Sequence, residues 1–205
     1  KVKERNMLEM IKSILTHVLT ALYQPFGFAV LLAILFMFVY LTAEEQGWKV
    51  LFRKWCLSFK NNKYFRRLFY LSFYSGMILF QTLLNRNMWA NPLSNVMGSW
   101  GLYNENGEFT TEAIENFILF IPFTILLLWA LGETRWKELG KCRQVLWKAV
   151  KIVFLFSLSI EFTQLFLRLG TFQLSDLAYN TLGGLVGGFI YWVCAKGKNK
   201  KHGMS

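Results

Sequence analysis

Glu161 stands in Phe156–Gln164, an apolar stretch that a bilayer-crossing helix would bury. A carboxylate there costs roughly 2.5–3.5 kcal/mol on insertion scales. A chain that keeps one needs it to hold a cation, to move a proton, or to donate a hydrogen bond when protonated. Gln164 and Arg168 follow three and seven residues later on the same helical face, with Ser157 one turn below. The next apolar run carries Asp176, Asn180, Gly183, Gly184, Gly187 and Gly188, of which Asp176, Asn180 and Gly184 share a face. A guanidinium, two amides and two carboxylates on adjoining helices could grip a polar head group or perform acid–base chemistry on one.

These residues must be positioned by membrane helices. The chain has 205 residues, of which 54% are hydrophobic and only 17% charged. A soluble domain carries about 25% charged residues. Five runs approach the roughly 20 residues needed to cross a bilayer: Phe26–Ala43, Leu68–Leu84, Phe117–Leu131, Ala149–Leu169 and Leu177–Ala195. Before them, Met7–Tyr23 places Leu8, Ile11, Leu15, Leu19 and Leu22 at helical spacing, with Glu9, Lys12 and Thr16 off the stripe. Pro25 ends that segment. The fold class expected is an all-α polytopic membrane bundle of five spans plus an N-terminal re-entrant or spanning helix. It forms one integral membrane unit over 1–205, opening on a helical hairpin at 7–43.

Charge orients the spans. Lys and Arg crowd 44–67, 133–148 and the tail, whereas 86–115 has Arg86 against Glu105, Glu108, Glu112 and Glu115. Positive charge favours the cytoplasm. Both termini are therefore expected inside, with 86–115 and 170–175 outside. An interfacial placement of 7–23 is the competing reading. The net charge of +11 belongs to topology and anionic lipid rather than to nucleic acid, because it sits between apolar runs. The first residue is Lys, so the native start is expected upstream, and no signal-peptide pattern follows it.

A tight antiparallel hairpin about 170–175 predicts Arg168 against Asp176, Gln164 against Asn180, and Glu161 against Gly183 and Gly184. That puts Glu161 roughly 10–12 Å below the top at helical rise. The polar pairs serve equally as helix-to-helix glue, and the glycines as packing surfaces. Trp89, Trp100 and Tyr103 in the outer segment read either as interface anchors or as a lid over Glu161. Pro122 is expected to kink its helix.

Other chemistry is poorly represented. The three cysteines, Cys56, Cys142 and Cys194, and the two histidines, His17 and His202, show no metal-ligand spacing. No metal or cofactor is expected. No phosphate-cradling glycine loop or Ser/His/Asp set is visible.

The stretch Ser159–Gln164, Arg168, and then Leu174–Gly184 resembles the signature of the VanZ-like family. Asn116–Phe123, and Arg86 followed by Asn91-Pro92-Leu93, are similar to further recurring stretches of that family. The resemblance covers about residues 66–195. One departure is Gly170-Thr171-Phe172-Gln173, where the family often has a basic residue close before the Asp; here the basic residue is Arg168. The resemblance implies a bacterial envelope membrane protein and an association with resistance to the lipid-tailed antibiotic teicoplanin.

The favoured reading is non-enzymatic: an amphiphile, either a lipid-linked wall precursor or a lipoglycopeptide, enters from the outer leaflet between the last two helices. Glu161, Gln164, Arg168, Asp176, Asn180 and Arg86 are the candidate ligand-binding residues. A membrane enzyme with Glu161 as general acid/base and a proton-coupled carrier are the alternatives. Membrane lipids are the expected partners, and nucleic acid is not.

Overall fold

With no water in the bilayer core, each apolar segment must satisfy its own backbone hydrogen bonds, and helix is the form that does so. The computed structural model describes residues 2–23, 26–42, 47–84, 91–103, 109–135 and 141–202. Its helices are α1 (Val2–Tyr23), α2 (Phe26–Thr42), α3 (Trp48–Asn61), α4 (Lys63–Leu79), α5 (Glu112–Arg135), α6 (Cys142–Leu167) and α7 (Leu174–His202). A π-helical turn, Phe80–Leu84, continues α4. The expected all-α class holds: among the described residues the only β feature is an isolated bridge, Tyr103 to Phe109.

Of the five expected spans, three are supported. Among the described residues, three helical stretches are long and apolar enough to cross a membrane: Glu112–Gly132, Cys142–Leu167 and Leu174–Gly197. α2 adds a shorter apolar helix, described over Ala29–Thr42. The run 68–84 falls within α4 and the π turn that continues it. α1 is long but carries Glu9 and Lys12 among its apolar residues.

α5 is the central post. Tyr74 of α4 donates to the Leu119 carbonyl at 3.0 Å and Arg67 to the Trp129 carbonyl at 3.3 Å, so α4 and α5 run antiparallel. α7 lies parallel to α5. Gly183 meets the Phe117 carbonyl, and a Cβ on Gly187 would stand 2.5 Å from the Ile121 oxygen. Between membrane helices, association rests on close packing, and small residues permit it. Phe120, Phe123 and Phe156 fill the centre, with the Phe123 and Phe156 rings stacked 4.8 Å apart. Pro122 does not divide α5, which is helical from Glu112 to Arg135.

α2 packs on α4 through a four-residue stripe, Ala29, Ala33, Met37 and Leu41, each buried. α3 turns sharply into α4 at Asn62, whose Oδ1 accepts from the Tyr64 and Phe65 amides at 2.9 and 3.1 Å. That cap satisfies amides a helix start would leave bare.

Candidate functional site

Two four-residue ridges face each other along α6 and α7. Asn180 Nδ2 donates to Ser157 Oγ at 2.8 Å. One turn on, the space at Gly184 is filled by Val153, and one turn further Gly188 meets Ala149. Continued one turn toward the start of α7, the same register sets Asp176 level with Glu161. α6 and α7 are therefore antiparallel, as expected, but in a different register.

The tight-hairpin alignment is corrected by about seven residues along α6, roughly 10 Å at helical rise. Asn180 faces Ser157 rather than Gln164, and Gly183 and Gly184 lie against Phe117 and Val153 rather than beside Glu161. The cause is the connection. α6 ends at Leu167 with Arg168 in the left-handed region, φ 55° and ψ 36°. The Leu169 amide reaches back to the Gln164 carbonyl at 2.9 Å, the hydrogen bond of a Schellman stop. The chain then descends beside α6 instead of turning over its tip, and the Gln173 amide donates to Glu161 Oε2 at 2.9 Å. α7 begins at the next residue, so Glu161 sits at that helix's N-terminus. There the helix dipole and a charge-assisted bond both favour an anion.

Gln164 also turns away from Asn180. Its Nε2 donates to the Thr82 carbonyl at 2.7 Å. Thr82 lies in the π turn, and its own hydroxyl returns to the Ile78 carbonyl at 2.8 Å. Gln164 thus gives a backbone carbonyl of that turn a side-chain donor. Glu161, Gln164, Ser157 and Asn180 are all buried, at 2%, 3%, 0% and 5% exposure. Asn180 Oδ1 has no hydrogen-bond partner among the described residues. A buried amide oxygen left so is costly unless something donates to it.

Arg168 is exposed at the α6 tip, and Asp176 is half-buried in the first turn of α7. The expected contact between them does not form: among the described residues no ion pair joins Arg168 to Asp176. Arg86 lies outside the described residues.

Segment 91–103 covers the start of α7. The Phe172 amide donates to the Pro92 carbonyl and the Leu174 amide to the Val96 carbonyl, each at 2.9 Å. Gly98, at φ +70°, packs on Ser175 where any side chain would collide. Trp100 lies 6.0 Å from Tyr179, ring to ring. Asn91 Oδ1 accepts from Leu93 and Asn95 Oδ1 from Gly98, so local Asx bonds hold the loop's shape.

Sequence reading missed three participants. Thr82 gave no signal beyond lying in an apolar run. Gln173 acts through its backbone, which side-chain chemistry does not reveal. His17 shows in the sequence only a lack of metal-ligand spacing, yet its Nδ1 lies 2.9 Å from Thr111 Oγ1 and 3.7 Å from Glu115 Oε1, tying α1 to the start of α5. The cysteines are free thiols. No group of metal-ligating side chains is assembled among the described residues.

A family model described as VanZ/LLP1 matches residues 26–195. The chain belongs to the VanZ/LLP1 family. It is also 31% identical over 99 residues to Protein VanZ of Enterococcus faecium, covering 48% of this chain and 55% of that protein. The chain thus spans about half the length of the curated relative it matches. No solved structure matches. The VanZ/LLP1 match reaches from α2 into α7, so both the Glu161 seam and segment 91–103 over it lie within the family's region.

Proposed function

We propose that this VanZ/LLP1 protein binds an amphiphile of the bacterial envelope at the outer end of the α6–α7 seam. The amphiphile is a lipid-linked wall precursor or a lipoglycopeptide of the teicoplanin type. The observation that carries this is the buried polar column of Glu161, Ser157 and Asn180, roofed by 91–103, in which Asn180 Oδ1 lacks a donor. A ligand hydroxyl, amide or ammonium supplies it.

The residues divide into two roles. Glu161 and Gln164 hold the walls, one through the Gln173 amide and the other through the Thr82 carbonyl. Asn180, exposed Arg168 and the Trp100–Tyr179 pair meet the ligand. Arg168 attracts an anionic group, and the aromatic pair stacks on a ring. Exposed Leu93, Met97 and Phe166 border this end with apolar surface for an acyl tail. In this reading the protein sits in the cell membrane with 86–115 and 170–175 outside and both termini in the cytoplasm, as positive charge at the opposite ends favours.

The test is survival on a lipoglycopeptide of cells expressing the protein or its Asn180→Leu variant, together with retention of the labelled antibiotic by each purified protein. Loss of both survival and retention is the expected result, in a protein that still folds into the membrane although less stably without the Ser157 bond. Full survival with Asn180→Leu overturns the proposal. Chemical change of a labelled lipid by the purified protein would replace binding with catalysis.

A further inference from the structure

α3 has a surface that neither the fold nor the proposed site uses. It lies at the end of the bundle opposite the Glu161 seam. α4 starts beside it with Arg67 at Trp129, near the far end of α5, whereas the π turn that ends α4 meets Gln164. Fourteen residues span about 21 Å, short of the roughly 30 Å bilayer core. α3 is therefore too short to cross it.

Its inner face is occupied. Leu51 is buried, and Trp55 stacks on Phe59 with ring centroids 5.4 Å apart. Its outer face combines two sectors. Trp48 and Phe52 are 76% and 58% exposed. Beside them, exposed Lys49, Arg53 and Lys60 fall within about 40° of one another at 3.6 residues per turn. Exposed Lys63, the first residue of α4, adds to the patch. No Asp or Glu occurs between Trp48 and Arg67.

The neighbouring arginines are committed inward. Arg66 Nη1 donates to the Phe59 and Lys60 carbonyls at 2.8 and 2.6 Å, closing the C-terminus of α3. The Arg67 guanidinium lies 5.0 Å from the Trp129 ring centre. Segment 48–67 thus separates its cations into a structural set and an outward set, and it places the outward set beside exposed aromatics.

We propose that α3 is an interfacial helix that binds anionic phospholipid. Trp48 and Phe52 enter the boundary of head groups and acyl chains, and Lys49, Arg53, Lys60 and Lys63 meet lipid phosphates. The charge is complementary to an anionic leaflet, and the aromatics are the type that anchors at its interface. This proposal stands independently of the amphiphile site.

Cys56 reports on it, since it is exposed and lies between the two sectors. The full chain with Cys142→Ser and Cys194→Ser is labelled at Cys56 with an environment-sensitive fluorophore. It is placed in nanodiscs of phosphatidylcholine, with or without phosphatidylglycerol. Phosphatidylglycerol is expected to blue-shift the emission and to strengthen quenching by a head-group nitroxide lipid, both reversed by salt. Each neutralised cation is expected to lower the preference for phosphatidylglycerol by about fivefold. The combined Lys49→Gln, Arg53→Gln, Lys60→Gln and Lys63→Gln protein loses it. Arg66→Gln lowers thermal stability while keeping the lipid preference. Identical emission in both lipids overturns the proposal. So does a preference that survives the fourfold substitution, or a shift produced by inorganic phosphate in phosphatidylcholine discs.

Discussion

Asn180 donates to Ser157 across the α6–α7 seam at 2.8 Å, and that one bond fixes how deep α7 sits against α6. With Asn180 level with Ser157, Gly184 packs on Val153 and Gly188 on Ala149, and α7 begins where Glu161 can bond its first turn. Cysteines at 157 and 180 are therefore expected to form a disulfide in a background lacking the native three, since bridged Cα atoms lie within about 7 Å. Cysteines at 164 and 180 are expected to stay unlinked. The reverse pattern on a non-reducing gel would restore the tight-hairpin register.

Glu161→Gln retains an oxygen for the Gln173 amide but removes the charge at the start of α7. Its thermal stability is expected to fall by about 0.3–1 kcal/mol, the scale of a helix-terminus charge. Glu161→Ala also leaves the buried amide bare, and is expected to cost about 1–3 kcal/mol. Equal stability of the Gln and Ala variants in thermal melts would remove Glu161 from the N-terminus of α7.

Gly98→Ala is expected to dislodge the outer segment. The residue sits at φ +70°, and a Cβ there would come within 2.9 Å of the Ser175 Cβ. Protease nicking within 91–103, negligible in the parent, is the readout. A resistant Gly98→Ala protein would show that the roof does not depend on this contact.

Arg168 carries an ordinary side chain in a backbone conformation that glycine holds with about 1–2 kcal/mol less strain. Arg168→Gly is expected to raise the melting temperature by a few degrees and yet to weaken retention of an anionic amphiphile. A variant that is both more stable and fully retentive would confine Arg168 to ending α6.

The orientation is open to labelling. Single cysteines at Asn106 and Thr171 are expected to react with an impermeant thiol reagent on intact cells, and those at Asn62 and Gly197 only after lysis. Labelling of Gly197 on intact cells would invert the topology.

Much was legible before the fold. Composition pointed to a membrane protein, because so few charges cannot clothe a soluble surface, and the long apolar runs pointed to helices, whose backbone satisfies its own hydrogen bonds in an apolar phase. Four-residue spacing placed Asp176, Asn180 and Gly184 on one ridge and Ser157 and Glu161 on another, since helical periodicity is a local property of the chain. The motifs around Glu161 and Asp176 also pointed to the VanZ-like family that the match over 26–195 establishes. Register was not local. It depends on the path of 168–173, where Arg168 turns left-handed and the chain folds back to Glu161 instead of closing a short turn. The π turn that continues α4 was likewise not legible, because no hydropathy pattern marks it. Only packing could bring His17 to Thr111 and Gln164 to Thr82, pairs 94 and 82 residues apart, because a distant partner is chosen by whichever helix arrives beside it.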